Sequence, residues 1–273
     1  MCDPHVIETV KRRMLSRRDL FRASAAGAAA VAVGGGLTAR PVLAQPASRV
    51  IDLTHTLRPD FPTYFGTPQY SAEQIFNFAE HGFNLKELSI NEHTGTHIDA
   101  PLHFAADGMS IDEIPVEQLV CPLVVVDIRE KAAADADAQV TPEDLRAWIA
   151  AHGPIPAGAC VAQLSGWQER VMGDGFRNAD EDGVMHFPGF HVEAVQMLLE
   201  EADVAGVGVD TLSIDFGPSA DFITHYTWLP EGRWALEAMA NLDQLPPTGA
   251  TLVVGAPKHQ GGTGGPARLI ALL

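Results

Sequence analysis

The sequence predicts one α/β or α+β domain built on a mixed sheet, on three observations. Short apolar runs of strand length outnumber helical stretches. The helical stretches fall between the strands rather than in a separate block. The chain beyond residue 44 has single-domain length, with no internal repeat and no low-complexity linker after residue 49.

Residues 49–54, Arg-Val-Ile-Asp-Leu-Thr, read as a first strand. Leu85, Leu88 and Ile90 continue through another towards a histidine-rich run. Residues 123–128 are a continuous valine-rich run, the signature of a strand buried on both faces. Thr141-Pro142-Glu143-Asp144 starts a helix with a capping hydroxyl, a proline at the first helical position and acids in the first turn. Gly153 ends it. A strand over 159–164 follows, then a helix over 191–202 with helical spacing through Val195, Leu198 and Leu199. Residues 204–209, 252–254 and 269–273 complete the strands. Residues 167–188 are polar, glycine-containing and aperiodic, which predicts a long active-site loop or lid.

Residues 1–44 read as a twin-arginine signal peptide. The arginine pair lies in Ser16-Arg17-Arg18-Asp19-Leu20-Phe21, an Ala/Gly-rich run extends from Ala25 to Leu37, and Val42-Leu43-Ala44 offers small residues for cleavage. The run is too short and glycine-rich to span a bilayer comfortably. The expectation is export to the periplasm by the twin-arginine machinery, with residues 45–273 as the mature domain. The first 44 residues hold seven of the 18 Lys/Arg and three of the 35 Asp/Glu, so the remainder carries 11 basic and 32 acidic side chains, a formal charge of −21. Such a surface argues against nucleic acid or an anionic membrane as a partner. Cys121 and Cys160, each beside an apolar run, read as small buried hydrophobes rather than a disulfide.

The most informative stretch is Glu92-His93-Thr94-Gly95-Thr96-His97-Ile98-Asp99-Ala100-Pro101-Leu102-His103-Phe104. It places three histidines and a carboxylate within eleven positions, from His93 to His103. Imidazole nitrogens with a carboxylate suit Zn²⁺, Mn²⁺ or Fe²⁺. A fourth group is left for proton transfer. Gly95 and Pro101 argue against one continuous helix and place the motif on a strand end and the turn beyond. Spacing alone leaves open which three bind and which one catalyses.

Residues 93–104, His-Thr-Gly-Thr-His-Ile-Asp-Ala-Pro-Leu-His-Phe, resemble the signature of the cyclase family of metal-dependent hydrolases, which includes bacterial kynurenine formamidases, isatin hydrolases and some dienelactone hydrolases. The resemblance extends from Ile51-Asp52-Leu53-Thr54-His55 to the C-terminus. It takes in Ser165-Gly166-Trp167, His186-Phe187-Pro188-Gly189 and the run 208–215. It implies a swivelling β/β/α domain, usually a homodimer or larger, with the site near a subunit interface. It also implies His93, His97 and Asp99 as primary metal ligands and His103 as the acid/base. In the formamidases a second metal shares the motif aspartate and uses a later histidine and a glutamate twelve residues beyond it. His225 and Glu237 have that spacing. One or two ions, manganese or zinc, are therefore expected, with Asp99 as the bridge if there are two.

Phe61, Trp167 and Ser213 are candidate substrate contacts, with Phe65, Phe187 and Trp228 as further aromatic ones. Asp210 and Asp215 are candidates to orient ligands. His55 reads as structural, and His186, His191 and His259 lack a partner legible in the sequence. Residues 258–265 hold four glycines but lack the Gly-Lys-Ser/Thr ending of a phosphate loop. Ser165 is not in a nucleophile-elbow sequence, which argues against covalent catalysis.

The expected reaction is hydrolysis of a carbonyl–heteroatom bond by metal-activated water, with His103 moving the proton. A signal peptide favours a compound met outside the cytoplasm, such as an isatin-like lactam or a lactone. The alternatives are an arylformamidase acting on N-formylkynurenine and, in another class, a periplasmic metal- or ligand-binding protein without catalysis.

Overall fold

The computed structural model describes residues 47–273, and the predicted signal peptide lies outside the described residues. The chain enters β1 (Val50–Asp52), then a hairpin of β2 (Tyr70–Phe76) and β3 (Leu85–Ile90) around the short helix α1 (Phe78–His81), then β4 (His97–Asp99). Next come β5 (Val120–Asp127), α2 (Arg129–Ala134), β6 (Gln139–Val140), α3 (Pro142–His152) and β7 (Ala159–Leu164). β8 (Gly189–Phe190), α4 (Val192–Glu201), β9 (Val204–Val209), α5 (Ile223–Trp228) and β10 (Trp234–Glu237) follow. β11 (Ala250–Gly255), β12 (Gly264–Pro266) and β13 (Arg268–Leu272) close the chain.

Nine strands form one mixed sheet in the order β1-β13-β11-β5-β7-β9-β10-β4-β12. β5, β7, β9 and β10 run parallel to one another, and the flanking pairs are antiparallel. The connectivity forces the sheet to curl. β12 and β13 stand seven places apart in that order, yet only Ala267 joins them. A flat sheet would separate them by roughly 34 Å, about ten times the reach of one residue. The curled sheet closes instead, and the Ala267 N–H donates to the Thr96 carbonyl at 2.9 Å.

β5 shows why its run is apolar throughout. Leu123 and Val125 enter an inner core with Leu53, Ile98, Leu236 and Leu252. Val124 and Val126 face an outer core with Leu145 and Trp148 of α3 and Val195 and Leu198 of α4. α3 starts where the sequence places it: the Thr141 N–H donates to Asp144 Oδ2 at 2.7 Å, and Gly153 caps the C-terminus. Cys121 and Cys160 are buried in the inner core. Gly206 of β9 lies flat under the Trp234 ring, where a Cβ would sit 2.2 Å from ring carbons.

The main body comprises Ala47–Ser71 and Ser89–Leu273, and the hairpin residues Ala72–Leu88 belong to a separate compact unit. The hairpin exposes Ile75, Phe78, Leu85 and Leu88. α1, α2 and α5, with β2 and β10, were not legible in the sequence. The helices and β10 are short, β10 is apolar apart from one carboxylate, and the seven-residue β2 is largely exposed with no buried face.

Candidate metal centre

The site stands on β4 and β10. Gly95 adopts φ +69°, a conformation that L side chains rarely take, and turns the chain into β4. The Thr96 hydroxyl secures that turn, donating to the Ala238 carbonyl at 2.6 Å and accepting the His55 N–H at 2.9 Å. His97 and Asp99, two apart on a strand, project from one face, while Ile98 enters the inner core. Antiparallel pairing sets Glu237 directly opposite His97 and Ala235 opposite Asp99. α5 brings His225 to the same point.

The structure gathers all six predicted catalytic and metal-ligating residues here. His97 Nε2 lies 3.2 Å from Asp99 Oδ1 and 3.4 Å from Glu237 Oε2. His225 Nε2 lies 3.2 Å from Glu237 Oε1 and 3.6 Å from Asp99 Oδ2. His93 Nδ1 is 2.7 Å from Asp99 Oδ1. The His103 ring stacks on His93 with centroids 3.8 Å apart and planes 20° apart. Asp99 belongs to both candidate ligand groups, His93–Asp99–His103 and His97–Asp99–Glu237.

The arrangement fits a cation. His97 Nε2 and Asp99 Oδ2 are buried and lack any hydrogen-bond partner, an expensive state unless something positive sits between them. Donors about 2.1 Å from a common ion lie roughly 3.0–3.4 Å apart, close to the separations above. Two histidines are already oriented as ligands. Nδ1–H of His97 donates to the Gly95 carbonyl at 2.8 Å, and Nδ1–H of His225 donates to Asp215 Oδ2 at 2.6 Å, leaving both Nε2 atoms facing the carboxylates. Asp215 is itself held by Thr224 N–H and Ser219 Oγ, and Ser213 Oγ accepts its N–H. Asp215 therefore fixes the ring of His225, a candidate ligand. Asp210 instead binds Ser165, Gly166 and Trp167 at the end of β7, and burial pushes its carboxyl up to about 6.

Burial disfavours a charged His97, but the negative charges of Asp99 and Glu237 beside it outweigh burial and raise the ring to about 9. His225 is likewise held well above its ordinary value by Asp215, Asp99 and Glu237 against burial. Asp99 resists the upward push of burial because His97, His225 and His93 surround it, and lies well below the usual range. His103 differs. Burial, aided by His93, His225 and His97 and opposed by Asp99, lowers it to about 4.

Above this cluster opens a cavity of about 390 Å³. Its floor includes His93, His97, His103, His225 and Glu237, and its walls include Tyr64, Phe65, Phe104, Leu212, Ser213 and Phe222. Phe222 and Ala238 hold positive φ, 52° and 50°, on that lining, the kind of backbone strain that collects at functional sites. Ser213 and Phe65 thus meet the cavity as predicted. Phe61 and Trp167 do not: both are buried behind it with Phe176 and Phe187. Trp228 is core, its Nε1–H bound to the Trp234 carbonyl.

None of the cavity's lining residues comes from the described side chains of 167–188. Trp167, Phe176, Met185 and Phe187 bury the segment, and Trp167 Nε1–H donates to the Phe176 carbonyl at 2.8 Å. Tyr64, Phe104 and Phe222 were missed as wall residues because they come from three separate segments. His55 packs between Phe61 and Phe176, in keeping with a structural role. His191 accepts the Glu193 N–H at the start of α4, and His186 pairs with Asp137.

The model of the family described as "Putative cyclase" matches residues 51–216, and the chain belongs to this family. It is 34% identical over 243 residues to an isatin hydrolase of Roseibium aggregatum, covering 82% of this chain and 91% of the relative. It is 30% identical over 229 residues to a kynurenine formamidase of Salinibacter ruber, covering 81% and 96%. Its fold matches isatin hydrolase A from Labrenzia aggregata, bound to benzyl benzoate, with a TM-score of 0.78 and 39% identity over 82% of this chain and 93% of that one.

Proposed function

We propose that the chain is a metal-dependent hydrolase that opens a small cyclic amide or ester, with an isatin-like lactam as the first choice of substrate. The observation that carries this reading is the partnerless pair His97 Nε2 and Asp99 Oδ2, buried beneath an aromatic-walled cavity beside a neutral His103. A divalent cation held by His93, His97 and Asp99, with His225 and Glu237 available for a second, supplies Lewis acidity and lowers the pKa of water. Zinc and manganese both suit this donor set.

The chain's own residues do the rest. Gly95 and Asp215 fix the ligand rings. His103, unprotonated at neutral pH, accepts a proton on a ring nitrogen and returns it to the departing nitrogen or oxygen. Tyr64, Phe65, Phe104 and Phe222 hold a flat ring and exclude water. The similarity to an isatin hydrolase supports the cyclic substrate. The similarity to a kynurenine formamidase favours N-formylkynurenine as the second reading. Residues 1–44 support twin-arginine export to the periplasm, and the exposed apolar side chains of the hairpin support a homo-oligomer.

The test compares initial rates of residues 45–273, metal-loaded, on isatin, N-formylkynurenine and a dienelactone. Isatin or lactone opening at the higher kcat/KM supports the proposal. A preference for N-formylkynurenine replaces it with the formamidase reading.

A further inference from the structure

The four glycines of residues 258–265 have no place in the reaction described above. The surroundings of two of them, Gly262 and Gly264, require the absence of a side chain. A Cβ at Gly264 would lie 2.6 Å from His93 Cε1, and one at Gly262 would lie 2.2 Å from His259 Nε2 and 2.7 Å from Glu92 Oε1. The loop backbone therefore rests directly on the His93 ring and on the carboxylate next to it in sequence. Thr263, between these glycines, reaches His93 from the side opposite Asp99: its Oγ1 is 2.9 Å from His93 Nε2.

We propose that Thr263, backed by Glu92 and His259, is a positioning residue that selects which nitrogen of His93 binds the metal. Thr263 Oγ1 lies 2.6 Å from Glu92 Oε2, and the other carboxylate oxygen lies 2.5 Å from His259 Nε2. A hydroxyl has one proton to give, and a carboxylate only accepts. Thr263 donates to Glu92 and so offers His93 a lone pair. His93 answers with a proton on Nε2. Nδ1, 2.7 Å from Asp99 Oδ1, is then the atom left for the ion. His97 and His225 are set the opposite way, with Nδ1–H held by Gly95 and Asp215 and Nε2 as the ligand atom. The centre thus takes one histidine through Nδ1 and two through Nε2. This inference rests on the metal-centre reading and adds to it.

The test uses zinc as a diamagnetic probe on the mature chain, with affinity from chelator competition and histidine tautomers from long-range ¹H–¹⁵N spectra. In the wild type, His93 should carry its proton on Nε2, and His97 and His225 theirs on Nδ1. Thr263→Ser should keep that pattern and bind zinc within about threefold of wild type. Thr263→Val, similar in shape without the hydroxyl, should lose the fixed His93 pattern and bind zinc about 10- to 100-fold more weakly. Unchanged His97 and His225 signals in the valine variant show that it is folded. Glu92→Gln should also loosen the His93 pattern, because an amide can donate to Oγ1 and free the hydroxyl proton for His93. Coordination through His93 Nε2, or a valine variant equal to wild type in both readouts, would overturn the inference and leave the metal centre standing. A wild-type chain that binds no zinc would overturn the metal centre and this inference together.

Discussion

At the scale of single residues, the histidines of the site divide by environment. His97 and His225 sit among carboxylates that favour positive charge, whereas burial drives His103 to stay neutral. Different losses follow. His97→Ala should lose bound metal and activity together. His103→Ala should keep most of its metal and lose about 10²- to 10⁴-fold in kcat, read from metal analysis and turnover on one sample. A His103→Ala protein with near-wild-type turnover would refute the proton-transfer role. His97 also sets a pH dependence. Its pKa in the metal-free fold, about 9, exceeds the ordinary 6.5, so the proton it holds stabilises that fold fully below pH 6.5. That contribution fades as pH rises through about 9. Metal loading displaces the same proton, so apparent affinity should strengthen from pH 6.5 to about 9, with protons released. Calorimetry in buffers of differing ionisation enthalpy checks this, and loading without proton release would contradict it.

At the scale of elements, strands and helices with a clear period were legible: β5, β7, β9, β11, α3 and α4 stand where apolar runs and the Thr141-Pro142 cap place them. The candidate site residues of the 93–103 motif were legible as a group, because one short strand and the turns beside it carry them, although spacing did not divide ligands from the acid/base. His225 and Glu237 became candidates only through a family resemblance. Their elements, α5 and β10, are too short to show a period, and only strand pairing sets Glu237 opposite His97. The cavity walls were least legible, since curling of the sheet assembles them from distant segments. Trp167 is the instructive failure. The polar, glycine-containing and aperiodic stretch 167–188 suggested an active-site loop or lid and Trp167 a substrate contact, but Trp167 with Phe176, Met185 and Phe187 supplies enough apolar surface to pull the stretch inward. Packing between β9 and β10 makes a further prediction. Gly206→Ala pushes a methyl into the Trp234 ring and should cost at least the ~1–3 kcal/mol typical of overpacking, measured by urea unfolding. Gly173→Ala, with nothing within 4 Å of the added methyl, should stay within about 0.5 kcal/mol.

At the scale of the whole molecule, the curl of the nine-stranded sheet lets the last strands return to the motif. β12 pairs with β4, and the loop before it lies on His93, so the C-terminal glycines and the central histidines form one site. The exposed apolar residues of the hairpin make a homo-oligomer the expected solution state, and light scattering on a sizing column should report a dimer or larger. The central claim is that the carboxylate–histidine cluster is a metal centre that drives hydrolysis. The most direct measurement is turnover of the mature chain on isatin, N-formylkynurenine and a dienelactone, tracked against bound metal through stripping by chelator and stepwise return of zinc or manganese. The account predicts that activity on at least one substrate disappears with the metal and returns in proportion to it. Turnover that persists in the stripped protein would contradict it.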